Sequence, residues 1–389
     1  MKILALGGCG QQGRLAVKTL IEEADVKKVI IADINIEAAK AFQNELDSAK
    51  VEVLEIDVLD ERSLKAAMQG IDVVANFVGP FFRFAEPIAK AVIASGVNYV
   101  DICDDVAPTQ TLLDDYHEQA KASGASLLIG MGASPGVSNV LVRRAANQLD
   151  QVDSAGVYWS VSANDIETEL AGNVDNAAIY EHAIELMAGK AVQFLEGNYT
   201  EVQGGSGVEE VEFATLGTQQ AYYVSHPEPV TIPRYIKTNN IFNKGCVPGL
   251  DEVLFGFQAL GLTSHENIAV KGTDYKATDL AIAILAYLDA NSEPVPESEL
   301  PACSDLFVEV SGKQGEDSVK IRLDVSTTQG LPRMDRMTGI AAAIGILMIG
   351  RGQIEEKGVL APEGGVDPDC FFAEFSKYDF VIKEKIEAV

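Results

Sequence analysis

Three glycines near the start of the chain carry its first chemical signal. Gly8, Gly10 and Gly13 stand in the spacing G-x-G-x-x-G, directly after the apolar run 1–6 and directly before a helical pattern at Leu15, Ala16, Leu20 and Ile21. At a strand-to-helix turn, glycines so spaced allow the tight turn, let the backbone approach a pyrophosphate, and let helix and strand pack together. The free N–H groups of the helix start, where Gln11 and Gln12 lie, and its dipole then meet a diphosphate. Residues 29–33 read as a second buried strand ending in Asp33, about twenty residues downstream, where the dinucleotide fingerprint places its acid. A carboxylate there accepts from both ribose hydroxyls and repels a 2′-phosphate, so the expected cofactor is NAD, with NADP less favoured.

Other candidate groups fall at the ends of later apolar runs. Asp57 ends the strand expected at 51–56, and Val78-Gly79-Pro80 ends the one at 71–78, where a nicotinamide ribose would lie. Arg83 follows and could grip a substrate carboxylate with its fork, or simply be a solvated surface arginine. Asp101, Asp104 and Asp105 crowd the next strand end. Crowded carboxylates raise one another's pKa, so Asp104 could relay a proton or, with Asp105, hold a substrate ammonium. A helix N-cap accounts for one of them. Gly130-Met131-Gly132-Ala133-Ser134-Pro135-Gly136 is a second glycine-rich turn, whose amides and Ser134 could bind an anionic substrate or form an interdomain hinge.

The four histidines (His117, His182, His226, His265) lie far apart with no metal-ligand spacing, so no metal is expected. His117 sits in a polar, exposed-looking helical stretch, and His226 is the one in a loop that could face a cleft. The chain lacks Tyr-x-x-x-Lys and a Walker lysine, which removes short-chain dehydrogenase and kinase chemistry.

The elements that must position these groups alternate. Helices are expected over 38–46, 61–68, 86–95 and 112–123, and strands over 99–102 and 126–129. That rhythm argues a doubly wound parallel sheet, whose ligands bind beyond the carboxyl ends of its strands. From about residue 150 the rhythm changes. Strands at 155–162, 192–195, 208–213 and 221–225, helices at 176–187, 250–260 and 277–288, a Pro- and Glu-rich linker at 291–301 and a hairpin of 306–311 with 318–326 describe an α+β domain with an open mixed sheet. The Ala/Gly/Ile-rich stretch 338–350 should be a helix that packs close to another backbone.

With 389 residues the chain is long enough for two domains. A net charge of −28, from 58 acids and 30 bases, argues against nucleic acid and against an anionic membrane as partners. No apolar stretch reaches bilayer length. Five scattered cysteines without CxxC and an N-terminal run already used as a strand point to a cytoplasmic protein with free thiols.

Taken in order, Gly8–Gly13, Gly79-Pro80-Phe81, residues 98–105, Gly132–Gly136 and the stretch from Gly350 to Glu363 resemble the saccharopine dehydrogenase family. They are similar to the branch holding saccharopine reductases, lysine dehydrogenases and carboxynorspermidine dehydrogenases. The resemblance covers nearly the whole chain. It implies a Rossmann domain (1–135, completed by 336–389), an inserted α+β substrate and dimerisation domain (136–335), a homodimer, and NAD(P)-dependent oxidation of a C–N bond in an amino acid or secondary amine. Phe81, Phe82 and Arg83 replace a polar, Tyr-containing stretch of the saccharopine reductases, and Ser134-Pro135-Gly136-Val137 replaces their Asp-Pro-Gly-Ile. These departures put saccharopine itself in question as the substrate. The alternative class is a dinucleotide-binding sensor or scaffold without turnover.

Overall fold

The computed structural model of the chain describes residues 1–162, 165, 176–291 and 302–389. Its first part runs β1 (Lys2–Leu6), α1 (Gln11–Glu22), β2 (Lys28–Asp33), α2 (Ile36–Leu46), β3 (Val51–Glu55), α3 (Glu61–Ala67), β4 (Val73–Asn76), α4 (Phe81–Ser95), β5 (Asn98–Asp101), α5 (Val106–Asp115), α6 (His117–Ser123) and β6 (Ser126–Leu128). Then follow α7 (Val137–Ala146), β7 (Gln151–Val161), α8 (Asn176–Ala188), β8 (Lys190–Leu195), β9 (Asn198–Gln203), β10 (Glu209–Phe213), β11 (Gly217–Tyr223), the single turn α9 (Glu228–Thr231) and β12 (Asn240–Cys246). The rest is α10 (Leu250–Ala259), β13 (Asn267–Val270), β14 (Thr273–Lys276), α11 (Ala277–Asn291), β15 (Ser304–Gln314), β16 (Asp317–Thr327), α12 (Met334–Gly350), β17 (Gly358–Leu360), α13 (Pro362–Gly365), α14 (Pro368–Phe375) and β18 (Phe380–Ala388). No described helix is long and apolar enough to cross a membrane, and all five cysteines are free thiols.

The first sheet has seven strands in the order β17-β6-β5-β4-β1-β2-β3, every pair parallel. Strand order reverses between β1 and β4, and a doubly wound sheet opens its ligand crevice at that point. The glycine turn after β1 and the Val78-Gly79-Pro80 turn after β4 therefore flank one crevice. The strands are near-continuous apolar runs because helices cover both faces; Ile3, Leu4, Ala5 and Leu6 of β1 are fully buried.

The second sheet has nine strands: β10-β11-β12-β7-β15-β16-β18 along its main path, with β8 on β12 and β9 on β8. It is mixed, since β7 and β12 run parallel and the other pairs antiparallel. Helix α7 packs across β7, β15 and β16. The opposite face is closed by an aromatic cluster. Tyr158 stacks on Phe307 at 4.8 Å, Phe213 meets Phe307 edge-on, and the Arg322 guanidinium covers Phe307 at 3.6 Å.

The C-terminal segment divides between the two sheets. Helix α12 lies against α1, where a Cβ on Gly339 would sit 2.5 Å from the Leu15 Cβ; the small residue permits the close approach expected of this helix. Strand β17 then extends the seven-stranded sheet beside β6. Strand β18, however, pairs with β16 over its full length, from Val319↔Ala388 to Thr327↔Phe380. The expected return of 336–389 to the first domain thus needs correcting for its last strand. Phe375 stacks on Phe380 at 4.2 Å where the chain crosses over.

Several elements differ from expectation for local reasons. Helix α4 starts at Phe81, five residues before the expected 86, because Pro80 stands at its N-cap and its fixed φ suits a helix start. The helix expected at 112–123 is two helices broken at Tyr116, the first beginning at Val106. His117 is half-buried, its Nδ1 2.9 Å from the Val359 carbonyl, because β17 lies alongside. The expected linker at 291–301 lies outside the described residues apart from Asn291, which ends α11.

Candidate active site

The turn after β1 is built for close approach. Gly7 has φ +67°, and its carbonyl accepts from Gly10 N–H at 3.0 Å. A Cβ on Gly13 would lie 2.6 Å from the Gly7 oxygen and 2.7 Å from the Gly8 Cα, so only glycine lets α1 sit this near the strand end. Gln11 and Gln12 open α1, whose first turn holds no acid. The Gln12 side-chain oxygen is buried with no hydrogen-bond partner among the described residues. Free helix-start amides and a cradle that Cβ atoms would fill together fit a dinucleotide diphosphate.

Asp33 ends β2 beside this turn. One of its oxygens accepts from Asn35 N–H at 2.9 Å and the other from the Cys9 thiol at 3.0 Å. Burial, aided by the Asp33 hydrogen bond and charge, pushes the Cys9 thiol up to about 12. Asp57 is exposed beyond β3, where Oδ1 caps the Leu59 amide at 2.9 Å. Across the crevice, buried Asn76 accepts from Val78 N–H at 3.0 Å and donates to Tyr99 Oη at 2.9 Å, which fixes the turn at Val78, Gly79 and Pro80.

The carboxylates after β5 separate into two roles. Asp101 is buried. Its Oδ1 accepts from Cys103 N–H at 3.0 Å and Gly130 N–H at 2.7 Å, and burial raises its carboxyl to about 6. It ties two strand ends together. Asp104 and Asp105 instead hold His182 of α8 between them: Nε2 is 3.3 Å from Asp104 Oδ2, and Nδ1 is 3.6 Å from Asp105 Oδ1. Asp105 Oδ2 also accepts from Phe82 N–H at 2.9 Å, tying the trio to the turn after β4.

This geometry corrects the expected ionisation of Asp104. Crowding by neighbouring acids was expected to raise it. Burial does push it up, but the charge and hydrogen bond of the His182 imidazole outweigh burial and hold the carboxyl below its ordinary range. Burial works against the His182 imidazolium, yet Asp104 and Asp105 raise it well above its usual value. The trio is a cation between two anions, so Asp104 is poorly suited to accept a proton near neutral pH. One ligand atom from each of the three residues lies within 4.8 Å of the others, but coordination of a divalent cation there would first require His182 to lose its proton.

Beside it opens a cleft of about 620 Å³, lined by Phe82, Asp105, His182, Glu185, Leu186 and Ser225 among others. Burial and the neighbouring Glu181 charge raise Glu185. Arg83 is exposed on the first turn of α4, its guanidinium 4.9 Å from the Phe84 ring centroid, and does not line this cleft.

The second glycine-rich turn meets a buried polar network. Gly136 has φ +124°, and a Cβ there would fall 2.0 Å from the Gly132 carbonyl oxygen. Ser134 Oγ donates to Glu228 Oε1, as Ser138 Oγ does at 2.8 Å. Asn139 accepts from Gly136 N–H at 2.9 Å and donates to Glu363 Oε2 at 2.8 Å. Burial raises Glu363 to about 7. Glu228 is fully buried; burial pushes it up, but the neighbouring His226 imidazole and the Ser134 hydrogen bond prevail and hold it low. Neither Glu228, Glu363, Asn139 nor His182 was given a role from sequence. Each joins its cluster only when elements far apart in the chain are folded together, though Glu363 lies in the stretch that carries the family resemblance.

A family model described as the saccharopine dehydrogenase NADP binding domain matches residues 3–128, and one described as the saccharopine dehydrogenase C-terminal domain matches residues 132–380. The chain belongs to the saccharopine dehydrogenase family. It is thereby placed among nicotinamide-dinucleotide-binding oxidoreductases. A carboxynorspermidine synthase of Vibrio alginolyticus is 25% identical over 361 residues, covering 86% of this chain and 83% of that protein. A saccharopine dehydrogenase-like oxidoreductase of Mus musculus is 28% identical, over 26% of this chain and 24% of its own length. Among solved structures, the apo saccharopine dehydrogenase (L-Glu forming) of Saccharomyces cerevisiae superposes with a TM-score of 0.71 at 15% identity, covering 100% of both chains. That likeness is one of fold.

Proposed function

We propose that the protein is an NAD(P)-dependent dehydrogenase acting on a C–N bond of an amino-acid or secondary-amine substrate. The Phe82–Asp105 hydrogen bond carries this reading, because it joins the turn after β4 to the acidic trio and the cleft. The diphosphate lies on Gly8, Gly10, Gln11, Gln12 and Gly13, with Asp57, Val78, Gly79 and Pro80 along the rest of the dinucleotide. When bound, the nicotinamide supplies a hydride acceptor or donor. Asp33 accepts from the adenosine ribose and disfavours a 2′-phosphate, so NAD is the proposed form even though the family's description names NADP.

Asp104 and Asp105 face a substrate ammonium, a role that the lowered carboxyl of Asp104 suits. Arg83 is proposed to hold a carboxylate at the outer end of a long substrate, as its exposed position allows, and Ser134 to hydrogen-bond the substrate at the junction of the two sheets. A relative named carboxynorspermidine synthase supports a substrate that carries both amines and a carboxylate. The domain division at 135 and 335 is retained with β18 transferred to the second sheet, the protein is taken as cytoplasmic, and a homodimer through the second domain is proposed, testable by light scattering at micromolar concentration.

A panel of saccharopine, lysine, carboxynorspermidine and other amino acids with NAD, read at the nicotinamide absorbance band, tests the function. Turnover of one such amine is expected. Tight cofactor binding without reduction by any of them would favour a sensor instead.

A further inference from the structure

Glu228 is a buried carboxylate with one oxygen fully engaged and the other open. Its Oε1 accepts from Ser134 and Ser138, while Oε2 is buried with no hydrogen bond among the described residues. The group facing Oε2 is His226, whose Nδ1 lies 3.3 Å away and is likewise buried without a short, aligned hydrogen bond among the described residues. The imidazole is 4% exposed and lies against Trp159, ring centroids 5.9 Å apart; that indole is held by a hydrogen bond to Asn243 at 2.9 Å. Its chain neighbour Ser225 lines the cleft.

Burying a carboxylate costs several kcal/mol unless its partners meet it well. A purely structural pair would close the Nδ1–Oε2 hydrogen bond. Here the Nδ1–Oε2 separation of 3.3 Å is long for a charge-assisted hydrogen bond, a looseness common at catalytic pairs that tighten when substrate arrives. A carboxylate beside Nδ1 stabilises the tautomer with its proton on that nitrogen, which leaves Nε2 as a base.

We propose that His226 and Glu228 form the proton-transfer dyad of the site, Nε2 of His226 being the base toward the substrate nitrogen and Glu228 its positioning residue. The inference rests on the C–N reading above. A secondary or primary ammonium has no free pair to help a hydride leave the neighbouring carbon. Nε2 takes one proton from that nitrogen: the N–H bond breaks, its electron pair stays on nitrogen, and imidazole becomes imidazolium. Glu228, already ionised, balances the new charge. In the reverse direction the imidazolium returns the proton to the amine.

Two measurements test this. With histidine labelled by ¹⁵N, the imidazole of His226 should show the proton on Nδ1 and a bare Nε2, a preference that Glu228→Gln removes. With an amine substrate, His226→Gln should lower kcat/KM at least 100-fold at neutral pH. The loss should shrink about ten-fold per pH unit as the amine deprotonates by itself, while cofactor affinity stays within two-fold. A proton on Nε2 in the wild type would overturn the dyad, with or without a known substrate. So would a His226→Gln variant that melts earlier but keeps kcat/KM within three-fold, since the pair would then be a strut. Absence of turnover with every amine would instead count against the C–N reading, and the tautomer measurement would still judge the dyad.

Discussion

Gly10 and Gly13 should fail in different ways when each is given a methyl group. A Cβ on Gly13 would lie 2.6, 2.7 and 2.9 Å from three backbone atoms of Gly7 and Gly8, none of which can rotate away. Helix α1 must shift outward, and α12 packed on it must follow. Overpacking of this kind costs about 1–3 kcal/mol, and at about 2–4 °C per kcal/mol for a domain of this size the melting temperature should fall by roughly 2–12 °C. At Gly10 the backbone is ordinary, with φ −69°, and the one near contact is the Gly7 oxygen at 3.2 Å. Gly10→Ala should therefore keep its stability within about 0.5 kcal/mol, yet set a methyl where the diphosphate comes close. Its NADH Kd should rise at least ten-fold, about 1.4 kcal/mol. Thermal melts without cofactor and fluorescence titration with NADH separate the two effects. If Gly10→Ala binds NADH like the wild type, the diphosphate does not lie on this turn. If Gly13→Ala melts with the wild type, the packing argument for that glycine is wrong.

The remaining predictions concern charge and the tail. Wild type should bind NADH more tightly than NADPH, and Asp33→Asn should narrow that gap about ten-fold; the same change should speed alkylation of Cys9, whose thiol Asp33 helps to hold up. The His182–Asp104 pair should stabilise the fold only within a pH window. The raised imidazole contributes fully below its unfolded value and loses that contribution as pH rises through its higher folded value, whereas the depressed carboxyl contributes above its unfolded value and loses it on acidification. The penalty of His182→Ala, in urea melts, should accordingly peak between about pH 4 and 6.5, at about 1 kcal/mol because each side chain is a third exposed; a penalty that does not vary with pH would refute the pairing. Truncation after Asp379 removes β18 and bares the long edge of β16, so the shortened chain should melt earlier and associate with rising concentration. A monodisperse truncated chain of unchanged stability would count against that edge.

What the sequence revealed depended on how local each signal was. The parallel sheet was legible because its strands are buried on both faces and read as apolar runs such as 3–6 and 73–75. The cofactor turn was legible because glycine spacing and strand-end acids lie within one βαβ unit. Strand β12 gave no such signal: Asn240-Ile-Phe-Asn-Lys-Gly-Cys is a central strand that buries Asn243 and Lys244, each paired to a side chain from another element. Periodicity cannot register a strand whose buried face is polar. The same holds for the site. Asp104 and Asp105 could be named from their crowding, but the ionisation of Asp104 is set by a histidine 78 positions later in the chain, brought in by α8.

The placement of β18 also constrains when the protein can become whole. During synthesis β16 emerges before its edge partner exists, and between the two the chain must form α12, β17 and α14, most of which serve the other sheet. Neither half can therefore reach its final form on the ribosome before the other is nearly made. Both wait on one stretch of about fifty residues from α12 to β18. The nascent protein spends that interval with a long unpaired strand edge and an uncovered α1, the two surfaces a chaperone would be expected to shield.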